Sequence, residues 1–130
     1  MKTKSCYLIL FLSSIVFLSC ENDINKSPDV IINKSPVHSV SVSSITNNKV
    51  SFLAKASWPD GCGSFSHFTS IKIDTIFYIT VFGKRPTNAV CTLAVIELDA
   101  PIDIFVGESG RFTFRFSSFD TATVDTTITF

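Results

Sequence analysis

From Val37 onward the chain alternates apolar and polar residues with a period of two and holds that period almost to its end. Such alternation sends successive side chains to opposite faces of a strand, so each run reads as half-buried β-structure. The pattern predicts strands over Val37–Ile45, Lys49–Ser57, Ser70–Thr75, Ile76–Phe82, Cys91–Leu98, Ile102–Val106, Arg111–Ser117 and Thr123–Phe130. Gly, Pro, Asn and Asp stand between them, and no window carries a helical repeat. Short strands rich in Ile, Val, Phe and Thr, separated by turn residues, predict an all-β antiparallel sandwich of about seven to eight strands. In the clearest of them Phe112, Phe114 and Phe116 share one face and Arg111, Thr113 and Arg115 the other. Burying a Phe gains about 1.5–3 kcal/mol, so this stripe is expected in the core. Asp125–Phe130 is expected to return antiparallel to it, with Thr126, Ile128 and Phe130 pointing inward.

The first twenty residues follow a different rule. Lys2 and Lys4 precede an apolar run from Tyr7 to Leu18, and Ser19 and Cys20 close it. This is the layout of a secretory signal. A run of that length is too short for a bilayer core of about 30 Å, so removal is expected rather than retention as a span. Phe17-Leu18-Ser19-Cys20 resembles the lipobox read by the lipoprotein signal peptidase, with Phe17 where Leu is usual. The resemblance implies that residues 1–19 are removed and that Cys20 carries lipid, palmitate included; the other reading is an ordinary signal with an incidental cysteine. A lipid-anchored protein of the bacterial outer membrane is then expected, facing the periplasm or the surface. Cys6 would leave with the signal.

The mature chain from Cys20 has 111 residues, with nine basic and eleven acidic side chains. That balance holds no basic footprint for nucleic acid, and the length suits a single domain, expected to be a monomer. Residues 20–36 are polar, and Ile24-Asn25-Lys26-Ser27-Pro28 recurs as Ile32-Asn33-Lys34-Ser35-Pro36. They read as a flexible tether, of about 20–25 Å mean span for sixteen residues, with residues 37–130 as the domain. An edge strand over Val30–Ile32 is the competing reading, since flanking prolines permit one.

Cys62 and Cys91 remain, and an exported chain with two free cysteines normally pairs them. A bridge across this loop of 29 residues would contribute roughly 3–4 kcal/mol. A zinc site drawn from His38, His67, Cys62 and Cys91 lacks any CxxC or HxxxH spacing. Cys62 with His67 as a nucleophile pair would need a free thiolate in an oxidising compartment. GxSxG, HExxH, P-loop and dinucleotide glycine patterns are absent, and Asp99 and Asp103 lack the ligand spacing of a calcium loop. A non-enzyme without metal or cofactor is expected.

Trp58-Pro59-Asp60-Gly61-Cys62-Gly63, Ala89-Val90-Cys91-Thr92 and Gly110-Arg111-Phe112-Thr113-Phe114 resemble a group of small Bacteroidota-type lipoproteins. That resemblance implies an immunoglobulin-like fold and an envelope location, with no assigned activity; Phe112 stands where such strands often carry Tyr. It also makes Asp74-Thr75-Ile76, Asp120-Thr121-Ala122 and Asp125-Thr126-Thr127 candidate O-glycosylation acceptors, Thr121 in a hairpin loop and Thr75 and Thr126 in strands. The loop Ser57–Ser66 is the candidate binding loop, with Trp58 and Asp60 as its contacts. An exposed Trp58 would stack on a glycan or anchor a protein partner; the other reading folds Trp58 into the core. A membrane-anchored binding or accessory module is therefore expected. The alternatives are a purely structural envelope protein and a protease inhibitor. For the latter, Gly61-Cys62-Gly63 and Arg85-Pro86-Thr87 are similar to two loop motifs of the chagasin-like inhibitors, the third motif being absent.

Overall fold

The computed structural model describes residues 29–130; the expected signal, its expected cleavage site and Cys20 lie outside them. Eight strands form two packed sheets: β1 Val30–Lys34, β2 Val37–Thr46, β3 Lys49–Trp58, β4 Ser64–Ile73, β5 Ile76–Pro86, β6 Ile96–Phe105, β7 Arg111–Ser117 and β8 Thr123–Thr129. One sheet has the order β2-β3-β6. The other runs β4-β5-β7-β8, with β1 also on β5. The protein is thus an all-β sandwich, as the alternation predicts. Pairing is antiparallel throughout except between β5 and β7, which run parallel over Ile76–Ile79. β1 and β7 occupy the same side of β5 end to end, β1 on Phe82–Pro86 and β7 on Ile76–Ile79.

The inward stripe of β3 (Val50, Phe52, Ala54, Ala56) meets Phe112, Phe114 and Phe116 of the opposite sheet, and all are buried. Phe52 contacts Phe114 and Phe116 at ring-centroid separations of 4.9 and 5.3 Å, within the range where tilted aromatic pairs attract. β8 returns antiparallel to β7 with Phe112 opposite Ile128 and Phe114 opposite Thr126, so Thr126 faces inward as expected.

Four boundaries differ from the alternation, the first being β4, which runs Ser64–Ile73 rather than Ser70–Thr75 and shortens the expected Ser57–Ser66 loop to residues 59–63. Val30–Lys34 pairs with β5 from Val30 opposite Pro86 to Lys34 opposite Phe82, so the sandwich begins before residue 37 and the expected tether cannot extend to Pro36. The edge-strand reading is the correct one for this segment: it lies on an open strand edge, where backbone hydrogen bonds compensate for its polar side chains. The expected strands Ile102–Val106 and the end of Cys91–Leu98 are a single strand, β6, running through Pro101. That is tolerated because β6 is an edge strand with no pairing on its far side. Residues 87–95 form no strand at all.

Candidate functional site

The two ends of the sandwich are built differently. At one end lie the turn after β3 (residues 59–63), the long connection between β5 and β6 (87–95) and the loop between β7 and β8 (118–122), together with the start of the described chain at Asp29. The Asp29 carbonyl accepts from both the N–H and the Oγ1 of Thr87, at 2.9 and 2.8 Å. At the other end lie the tight turns Asn47–Asn48 and Asp74–Thr75 and the connection 106–110.

The first end is strapped. Cys62 and Cys91 are joined, with Cα atoms 5.4 Å apart. Gly61 N–H donates to the Thr92 carbonyl at 3.0 Å. Asp60 ties three groups: its Oδ1 accepts from Trp58 Nε1 at 3.2 Å and from the Cys62 N–H at 3.0 Å, and its Oδ2 pairs with Arg85 Nη1 at 3.2 Å. An Asp two residues ahead of an N–H it accepts from is the usual Asx-turn arrangement. A carboxylate so occupied organises the loop and has little left for a ligand. This corrects Asp60 as a binding contact.

Trp58 is only 2% exposed, so of its two readings the core one holds and the exposed platform does not. It continues the inward parity of Val50, Phe52, Ala54 and Ala56 along β3, so the same alternation that predicts the core could have placed it there. Two glycines fit against its ring. A Cβ on Gly63 would stand 2.2 Å from Trp58 Cδ1, and one on Gly83 would stand 2.3 Å from Cε3. Ser35, 2% exposed, also sits beside Gly83, its hydroxyl without a partner.

What the strap holds out instead is apolar. Val90 is fully exposed, Leu93 is 94% exposed, Val95 70% and Phe119 56%. Residues 87–95 carry no charged side chain. Val95 and Phe119 also line, with Pro36, Ser57, Trp58 and Pro59, an almost wholly apolar cleft of about 250 Å3. The alternation of Ala89–Val95 mimics a strand, but β3 ends at Trp58 opposite Ile96, which leaves these residues without a pairing partner. At the opposite end a broader, more polar groove of about 490 Å3 is lined by Ile45, Thr46, Asn47, Asn48, Ser109 and Phe130.

The remaining candidate residues are separate. His38 Nε2 lies 2.8 Å from Glu97 on the outer face of the three-stranded sheet, and the His67 ring stacks on Phe82 at 4.7 Å. Neither approaches the cysteines as a ligand set, and the one grouping of metal-type side chains among the described residues, Asp60, Cys62 and Cys91, has both sulfurs in the disulfide. Thr121 is exposed in the β7–β8 loop as expected. Thr75 is exposed in the Asp74–Thr75 turn rather than in a strand, whereas Thr126 is half-buried against the core stripe. Thr126 thus differs from Thr121 and Thr75 in facing the layer between the sheets, where a glycan has the least room.

The outer faces are polar ladders. Lys55 bridges Glu97 and Asp99 at 3.1 and 2.5 Å, Lys49 pairs with Asp103 at 2.8 Å, and Arg115 forks onto Asp125 at 2.8–3.2 Å. Hydrogen bonds from Lys55 and His38 hold the Glu97 carboxyl below its ordinary range. Those from Lys49 and Ser51 do the same for Asp103, and Arg115 does so for Asp125. These pairs are solvent-facing and structural. The sequence model described as an ORF11 beta-sandwich domain matches residues 52–129. No curated protein and no solved structure matches the chain.

Proposed function

We propose, from the premise that the chain belongs to the ORF11 beta-sandwich domain family, that it is a lipid-anchored envelope lipoprotein acting as a non-catalytic binding or accessory module. The observation that carries this reading is where the chain enters the domain. The lipobox-like Phe17-Leu18-Ser19-Cys20 ends nine residues before Asp29, which the double Thr87 contact clamps to the sandwich. An acylated Cys20 would hold the domain against the outer membrane of a bacterial, Bacteroidota-type envelope. A disulfide inside an exported domain agrees with that compartment. The module would offer its polar end and outer faces to a glycan or an envelope protein, and Thr75 at that end would be a glycan acceptor, with Thr121 one only where the strapped end stands free of the membrane.

A second reading has one observation in its favour. Gly61–Gly63 and Arg85–Thr87, the segments similar to chagasin-like inhibitor loops, are neighbours in space through Asp60–Arg85 and the pairing of Ser64 with Lys84. Papain inhibition at micromolar protein would favour that inhibitor reading over the anchored module.

The intact mass of protein extracted from membranes, after iodoacetamide without reductant, tests the proposal. It is expected to show a chain beginning at acylated Cys20, with Cys62 and Cys91 unalkylated and sugar mass added where Thr121 or Thr75 is used. A chain that begins elsewhere or lacks acyl mass overturns the anchoring.

A further inference from the structure

We infer that the strapped end of the sandwich docks on the lipid bilayer, with Val90, Leu93, Val95 and Phe119 seated at the membrane interface beside the anchor. The inference rests on the anchoring reading and adds an orientation to it. Three observations converge on one end of the molecule. The first is chemical: residues 87–95 present exposed aliphatic side chains and no charge, and Phe119 joins them from the neighbouring loop. The second is rigidity. The Cys62–Cys91 bridge, the Gly61–Thr92 hydrogen bond and the Asp60–Arg85 pair fix this apolar connection to the body of the domain. The third is reach. Eight residues separate Cys20 from Asp29, and the nine residue steps between them, even fully extended, span no more than about 32 Å. Asp29 is bonded to Thr87, the first residue of that same connection.

A bilayer is the occupant that fits all three. Exposed apolar side chains beside an anchor gain by entering the headgroup and upper acyl region, where interfacial segments bury about 5–10 Å. Depth is limited to that layer, because residues 87–95 have backbone groups outside any strand that need water or headgroups as partners. Asp120, which follows Phe119, keeps the second loop at the same level. Exposed apolar residues elsewhere, such as Ile71, Ile73 and Phe105, are strand residues with charged Lys72, Asp74 and Asp103 close by in sequence. They face no anchor.

The test compares two acylated proteins on phosphatidylethanolamine and phosphatidylglycerol vesicles by amide hydrogen exchange: the wild type, and a V90S/L93S double variant. Both substituted side chains are exposed, so the fold is not at risk, and core amides in the same spectra verify it. Residues 118–121 are identical in the two proteins. Their amides are expected to exchange about tenfold more slowly in the wild type, as solvent opening is suppressed, while those of 107–110 at the far end match. Equal rates at 118–121 overturn the docking and leave the anchor standing. A preparation whose intact mass lacks acyl chains on Cys20 overturns the anchor and the docking together.

Discussion

The two ends of this sandwich use opposite chemistry for the same task of joining strands. At the far end, tight turns do it with local means: Asn48 and Asp74 adopt left-handed φ values of 63° and 53°, which Asn and Asp tolerate better than other side chains with a Cβ. At the strapped end the β7–β8 loop also closes locally, with Asp120 at φ 53° and the Ser118 N–H donating to the Ala122 carbonyl, but the β5–β6 connection is held mainly from outside itself. The connection from β5 to β6 has a turn only at its start, Thr87–Asn88; beyond it a covalent bridge, a buried indole and a half-buried ion pair hold it in place. A loop closed by long-range contacts can expose side chains that a self-sufficient turn has no room to carry.

If the strapped end depends on Trp58, removing the indole should produce the largest loss. Trp58→Ala is expected to cost about 3–5 kcal/mol, the usual range for an aromatic truncated in a core, read from the denaturant midpoint. Cys62→Ala with Cys91→Ala should cost about 3 kcal/mol. That double variant should also raise amide exchange in 87–95 while leaving 46–49 unchanged; equal loosening at both ends would erase the distinction between them. Gly83→Ala forces a methyl into the indole face and should cost about 1–3 kcal/mol. By contrast, Asn48→Gly in a far-end turn should stay within about 0.5 kcal/mol.

The smallest effect belongs to neither end. Glu97, Asp103 and Asp125 have carboxyls held below their ordinary values of 4.5, 3.8 and 3.8, so folding favours their charged forms. Their contribution is complete above those values and is lost as the pH falls through the depressed ones. Asp125→Asn should therefore flatten the acid limb of a stability–pH curve below about pH 4 and leave neutral pH almost unchanged, since the Arg115 pair is solvent-facing.

Alternation made the core legible: Phe112, Phe114 and Phe116, the β7–β8 hairpin and the inward row of β3 follow from spacing, and the cysteine pair from the count of cysteines left outside the expected signal. It failed where a partner rather than a pattern decides. Ala89–Val95 has a strand's composition but no strand beside it, and Val30–Lys34 has a linker's composition but an open edge of β5 to join. For Trp58 the composition of its loop leaves two readings open, and its parity with Phe52 and Ala54 favours the core, where it lies. The slot that receives it comes from Gly63 and Gly83 on separate segments, which no local window contains.

β1 meets β5 antiparallel with its first residue, Val30, opposite Pro86, at the end where the chain enters. Tension transmitted through the residues before Asp29 therefore acts along the axis of β1. Force in that direction shears the strand rather than unzipping it, so the five residue pairs from Val30 to Lys34 and both Thr87 contacts to Asp29 bear load together. A pull from the N-terminal side meets a mechanical clamp, and its counterpart at Phe130, at the far end, loads the β7–β8 ladder along the same axis.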